Sequence, residues 1–223
     1  GERVPVRIHR NSRAKRISMR ADAVKREIRI TMPPYTPTNV ALDFVAKKRE
    51  WIATRLNSVA DAAPIAPGSE IAFEGEGYII EWREEWPRSV KCKEGRLLLG
   101  GPESSVEARI LRWLRAEARR VYTEEIAYYC AKANDPAPRL SLGDPRSRWG
   151  SCSSRGTISL SWRLIMAPVS VRRSVIAHEV AHIRHMNHSA QFYAWLDTLY
   201  DGNRKAADQW LKMHGTGLQR VGR

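Results

Sequence analysis

The segment Ser170-Val171-Arg172-Arg173-Ser174-Val175-Ile176-Ala177-His178-Glu179-Val180-Ala181-His182-Ile183-Arg184-His185-Met186-Asn187 carries His178-Glu179-x-x-His182, with Val175, Ile176, Val180 and Ile183 at helical spacing. Ser170 reads as an N-cap and Asn187 as a left-handed stop, which predicts one helix over the whole segment. Four residues advance a helix by about 400°, so both imidazoles share a face one turn apart, as two ligands of one zinc ion must. Glu179 projects beside them. A carboxylate there can take a proton from zinc-bound water, whose pKa falls toward about 7 in open catalytic sites.

Two histidines compete for the third ligand position. His185 lies seven residues beyond His178, and three ligands along one stripe would span about 10.5 Å of helix axis and fail to converge. His188 follows Asn187, which tolerates positive φ, so the chain can turn there and bring His188 back to the metal. Metzincins share the resulting interval but place Gly where His185 stands, so the turn here has to be made differently.

Upstream, Pro168 introduces this helix, and strands at 140–142 and 157–162 flank the tight segment Trp149-Gly150-Ser151-Cys152-Ser153. A long helix is expected from Ser104 or Ser105 to about Ala133, ended by Pro136 and Pro138. Its Arg109, Arg112, Arg115 and Arg119 read as a solvated face. The composition changes around Gly100, Gly101 and Pro102, which sets an expected division into residues 1–102 and residues 103–223.

The first part is β-rich with one helix. Val4, Val6 and Ile8, then Ile17 and Met19, then Ile28 and Ile30 alternate with polar residues and predict two or three strands. After Pro37, Val40, Phe44, Val45, Lys48, Trp51, Ile52 and Leu56 fall at helical spacing, and residues 61–69 read as a loop or linker. Strands are expected again at 71–73, 78–82, 89–92 and 96–99. The fold class is therefore α+β, a β-rich N-terminal region followed by a core built on the His178–His182 helix.

The chain has 223 residues, 43% of them hydrophobic, enough for a core without disulfide staples. Its apolar runs fall short of the roughly 18 residues of a membrane helix. Three scattered cysteines, Cys92, Cys130 and Cys152, suit a reducing compartment, so a cytoplasmic protein with no membrane partner is expected. Lys and Arg number 38 against 24 acids, a net charge of +14. Residues 1–30 hold ten Lys or Arg and three acids, hence half of that excess. Such a bias favours polyanions and makes nucleic acid a candidate partner of the N-terminal region.

The chain resembles the YgjP-like family of bacterial zinc metallopeptidases, which is related to the SprT-like and minigluzincin-type zincins. The likeness is carried by Arg148-Trp149-Gly150-Ser151-Cys152-Ser153, by Leu160-Ser161-Trp162-Arg163-Leu164 before Ala167-Pro168, and by His178-Glu179-Val180-Ala181-His182 through Asn187-His188-Ser189 to Phe192. Arg13-Ala14-Lys15-Arg16-Ile17-Ser18 and Trp51-Ile52 extend it upstream. The resemblance implies a zincin-like core in which His178, His182 and His188 hold one Zn2+ and Glu179 is the general base. It also implies that the segment Trp149 to Ser153 and the following strand form the wall beside the metal, where an extended peptide adds as a strand, with Arg148, Trp149, Gly150, Ser151, Cys152 and Tyr193 as candidate substrate contacts. Cys152 reads as a small buried residue or as a redox-sensitive neighbour of zinc, and Trp149 and Trp162 read mainly as core. Arg148, Arg163 and Tyr193 are the candidates for stabilising an oxyanion.

Two functions follow. One is a zinc-dependent peptidase that hydrolyses protein or peptide substrates by Glu179-assisted attack of zinc-bound water. The alternative is a nucleic-acid-associated protein whose zinc site is structural or secondary, or an SprT-like protease acting on nucleic-acid-bound proteins. Glu179 favours the first, since a structural zinc site needs closed coordination and no base.

Overall fold

A computed structural model describes residues 4–22, 27–50, 52 and 64–222. The chain divides into two compact units, Gly1–Ala62 and Ala63–Arg223. In the first, β1 (Val6–Arg10), β2 (Ser18–Asp22) and β3 (Glu27–Met32) form a sheet in the order β1-β3-β2. Strand β3 runs parallel to β1 and antiparallel to β2. The two-residue alternation puts Val6, Ile8, Met19, Ala21, Ile28, Ile30 and Met32 in a small core with Ala41 and Val45 of α1 (Thr38–Lys47) and with Ile52. The expected continuation of α1 to Leu56 falls on Trp51 and residues 53–56, outside the described residues, as do residues 61–63 of the expected linker.

In the second unit β4 (Glu70–Phe73), β5 (Glu76–Trp82), β6 (Lys91–Lys93) and β7 (Arg96–Leu99) form a sheet ordered β4-β5-β7-β6. A 3-10 turn, Glu103–Ser105, leads into α2 (Val106–Ala133). That helix ends at Asn134, which takes the left-handed conformation at φ 55°, before the prolines are reached. Strands β8 (Arg139–Gly143), β9 (Gly150–Cys152) and β10 (Thr157–Ser161) form a sheet ordered β8-β10-β9. The segment expected to be a tight connection is thus itself the edge strand β9. After the 3-10 turn Trp162–Met166 come α3 (Val169–Ala181), α4 (Ala190–Leu199) and α5 (Arg204–Leu218). The class is α+β, and among the described residues no helix is long and apolar enough to cross a membrane.

The division expected between residues 102 and 103 is not where the chain separates. Ile71, Phe73, Ile80, Leu97 and Leu99 share one buried cluster with Ile110, Leu114 and Tyr122 of α2, Ile158 and Leu160 of β10, and Ile176 and Val180 of α3. The β4–β5 turn is also pinned to the entry of α3. Glu74 and Gly75 donate their backbone N–H groups to the carbonyls of Ile165 (2.8 Å) and Met166 (3.2 Å). Gly75 has φ +91°, and a Cβ there would sit 2.7 Å from Pro168 Cα, so glycine is required at that approach. Glycines at 100 and 101 signal a turn, and a turn inside a shared core is no boundary.

The arginines of α2 divide between two roles. Arg112 and Arg119 are exposed, whereas Arg109 donates to the Gly100 carbonyl and Arg115 stacks 4.8 Å from the Trp162 ring. Trp162 is buried core, as expected.

Candidate metal centre

Helix α3 presents Ile176, Ala177, Val180 and Ala181 to the core and carries His178 and His182 one turn apart. It begins slightly earlier than expected and ends well short of Asn187. Pro168, in an extended conformation, is the N-cap in place of Ser170, because its carbonyl already accepts the first helical bond, from Arg172 N (3.0 Å). At the other end the helix stops at Ala181 and His182 is the C-cap. Ile183 and Arg184 switch to three-residue spacing, bonding to Val180 and Ala181, which tightens the chain into a turn. The Arg184 guanidinium fixes that turn by binding the Ala133 carbonyl and Asp135. Asn187 is not among the described residues with positive φ, so the reversal is made without the expected left-handed stop.

The reversal also sets the chemistry of His182. Its Nδ1 lies 2.9 Å from the His185 carbonyl, an acceptor only, so Nδ1 carries the proton and Nε2 keeps its lone pair. His185 therefore enters through its main chain. His188 Nε2 comes within 3.0 Å of His178 Nε2, which lies 3.2 Å from His182 Nε2. One ligand atom from each of the three histidines lies within 4.8 Å of the others. Beneath them Phe192, fully buried in the first turn of α4, stacks on His182 at 4.5 Å and meets His178 and His188 edge-on at 4.9 Å. Ser189 caps α4 by accepting from Phe192 N, which fixes this floor.

Burial and the neighbouring His182 and His188 push His178 down to about 4, and burial lowers His182 as well. The Nε2 atoms of His182 and His188 both lie within 3.2 Å of His178 Nε2, so the three rings converge on one point as ligands of a single cation would. Tetrahedral zinc with Zn–N bonds of about 2.0–2.1 Å separates its donors by roughly 3.3 Å, close to the spacings here. Three nitrogens with no thiolate or carboxylate among them is the donor set of a site that keeps one position open.

Glu179 is 6% exposed and forms no ion pair among the described residues. Burial raises its carboxyl to about 7, against the opposing effects of the Arg148 charge and a hydrogen bond from the Cys152 backbone N–H. It packs on β9 so closely that a Cβ at Gly150 would lie 2.5 Å from its Oε1. Strand β9 pairs with β10 through Leu160↔Gly150, Ser159↔Ser151 and Ile158↔Cys152, and among the described residues its other edge has no strand neighbour. Burial and the charge of Glu179 raise the Cys152 thiol, which favours the small-residue reading over a thiolate close to zinc.

The remaining sequence candidates separate. Arg163 is 1% exposed and spent on Asp144 (2.7 Å) and the carbonyls of Leu218 (2.8 Å) and Val221 (2.6 Å), so it is structural. Trp149 lies against α5, where a Cβ at Gly215 would come 2.7 Å from its ring. Arg148 is exposed near Glu179, and the Tyr193 ring is 6.2 Å from that of His188. The sequence reading missed Arg204. This residue opens α5, binds Asp197 at 2.8 Å, lies 5.2 Å from the Tyr193 ring and adds to the lowering of His178. No periodicity or motif could have placed it there.

Two imidazoles on a helix, a third returned by the following turn and a carboxylate buried between helix and edge strand define a metallopeptidase domain. The model of the YgjP-like metallopeptidase domain matches residues 15–214, and the chain belongs to that family. Metallopeptidases hold a metal, typically zinc, and His178, His182 and His188 could hold one here. No curated protein matches the chain. Among solved structures, the crystal structure of the metallopeptidase zymogen of Pyrococcus abyssi abylysin is similar over 41% of this chain and 92% of that one, at 15% identity and a TM-score of 0.38.

Proposed function

We propose that this protein is a zinc-dependent peptidase in which His178, His182 and His188 hold one zinc ion and Glu179 moves the proton. The observation that carries the reading is the buried Glu179 carboxylate, bonded by the Cys152 N–H and seated on Gly150, on the helix whose imidazoles converge. When bound, zinc supplies the Lewis acidity that polarises water and the scissile carbonyl. The Glu179 carboxylate accepts the proton of the attacking water and returns it to the leaving amine nitrogen. The outer edge of β9 offers backbone N–H and C=O groups to an extended substrate, with Ser151 and Cys152 along the added strand. The Tyr193 hydroxyl, with Arg204 behind its ring, is the donor for charge developing on the carbonyl oxygen. Three free cysteines favour a reducing compartment such as the cytoplasm.

The test is metal content by elemental analysis of the wild type and Glu179→Gln, beside cleavage of casein with and without a chelator. One zinc in each protein, with chelator-sensitive cleavage in the wild type alone, is the expected result. Absence of zinc from the wild type, or cleavage that survives in Glu179→Gln, overturns the reading.

A further inference from the structure

The alternation that buries one face of the β1-β3-β2 sheet leaves its other face polar, and the strand register then orders the charges. Arg7 of β1 pairs with Arg29 of β3, and Arg29 pairs with Arg20 of β2. Three arginines thus stand in one row across the sheet, about 4.8 Å from strand to strand. The next row, roughly 6.7 Å along the strands, is His9, Thr31 and Ser18. Beyond it the loop of residues 11–17 carries Arg13, Lys15 and Arg16, all exposed.

Glu27 is 4% exposed and sits beneath this row. Its two oxygens take Arg7 Nε at 2.8 Å and Arg29 Nε at 2.6 Å, while the two arginine side chains remain 77% and 50% exposed. A hydrogen bond from Arg29 and the charges of Arg29 and Arg7 hold the Glu27 carboxyl below the usual range, so it stays ionised as a buried anchor. Anchored guanidiniums lose less freedom on binding a ligand than free ones do.

We propose that this face, with the loop of residues 11–17, binds the phosphodiester backbone of a nucleic acid independently of base sequence. Among the described side chains the row and the loop supply six cations against one buried carboxylate, and the hydroxyls of Ser18 and Thr31 stand between them. Apart from the His9 imidazole, neither row contains an aromatic or long aliphatic side chain. Base stacking and insertion into a lipid surface both require such groups, whereas backbone contact requires only charge and hydroxyls. The surface is independent of Glu179 and of the metal site, so its test does not depend on the peptidase reading.

The experiment is anisotropy titration of a short labelled DNA duplex with the full chain at rising salt. Five net positive charges give a slope of log affinity against log salt of about −4 to −5, a loss of roughly 10²- to 10³-fold between 50 and 200 mM. Replacing Arg13, Lys15, Arg16 and Arg20 by Gln should reduce the slope to about −1, and Arg20→Gln alone should reduce its magnitude by about one. The charge-matched control replaces Arg112, Arg119, Arg139 and Arg155 of the second unit by Gln and should keep both affinity and slope. Glu179→Gln should bind like the wild type. Thermal melts check folding, and if the fourfold variant unfolds, Arg20→Gln decides. Equal loss in the control would reduce the effect to net charge and overturn the proposal. A salt-insensitive wild type, or equal binding to polyglutamate or phosphatidylserine vesicles, would overturn it too.

Discussion

In the first turn of α3 the Arg172 guanidinium, 2% exposed, is held by Glu125 through two bonds of 2.9 and 3.0 Å and by Glu74 at 3.0 Å. Arg173 adds a further contact to Glu125 at 3.0 Å. Two turns later Glu179 is almost as buried and has no ion pair among the described residues, only a backbone N–H. The two ends of one helix therefore treat buried charge in opposite ways. A charge flanked by two carboxylates ties the β4–β5 turn, α2 and α3 together, although Arg172 Nη1 meets Glu74 as an ion pair without a hydrogen bond. A carboxylate buried short of partners costs stability, and that cost is met where proton affinity near neutrality is useful.

The contrast predicts opposite responses to truncation. Arg172→Ala leaves the buried Glu125 with only the half-exposed Arg173 as a partner and should cost about 3–5 kcal/mol in urea unfolding. Glu179→Gln, measured without metal, should unfold at the same or a higher urea concentration, because a poorly compensated buried charge is exchanged for a neutral amide. If Glu179→Gln loses as much stability as Arg172→Ala, the two ends are alike and the comparison fails. Next in size is the zinc-dependent gain in stability, which for a ligand at a thousandfold above its Kd is about 4 kcal/mol. His188→Ala should lose most of that gain, and His185→Ala should keep it because only its carbonyl is used. Thermal melts with and without zinc decide, and the reverse pattern reassigns the third ligand.

The histidine pair was legible because helical spacing alone puts residues 178 and 182 on one face, and the strands were legible from two-residue alternation. The turn that delivers His188 was legible only as a necessity. Sequence rules look for Asn or Gly at a reversal, but this one rests on three-residue backbone bonds and an arginine bound to Asp135, far away in the chain. The same limit explains the misplaced boundary. Glu74 and Arg172 are 98 positions apart, and nothing local to either announces their pairing. Arg163 and Tyr193 were equal candidates by residue type, and burial separates them: one is spent on Asp144 and the carbonyls of Leu218 and Val221, the other is 40% exposed beside His188.

Gly150→Ala sharpens the contrast at the Glu179 end. A methyl group there would meet Oε1 at 2.5 Å and the rest of that side chain within 2.9 Å, so the carboxylate has to move off β9. Overpacking of this kind costs about 1–3 kcal/mol. Cleavage should fall with the metal content unchanged, since the imidazoles are not displaced. Wild-type cleavage in Gly150→Ala would mean that the seat of Glu179 on the edge strand is not needed.

The smallest effect belongs to Tyr193. Its ring lies 6.2 Å from that of His188 and 5.2 Å from the Arg204 guanidinium, and its hydroxyl has no protein partner among the described residues. A donor that bonds only the developing oxyanion is felt in kcat and not in KM. Partial exposure reduces its value to that of an ordinary hydrogen bond, about 1.4 kcal/mol or tenfold in kcat. Tyr193→Phe should show that loss with zinc content and KM unchanged, and a phosphinic peptide that mimics the tetrahedral state should bind about tenfold more weakly. Arg204→Met keeps the hydroxyl but removes the cation behind the ring, so it should give a smaller loss of the same kind. A change confined to KM would place Tyr193 among groups that hold the substrate, leaving Arg148 as the remaining sequence candidate for the oxyanion.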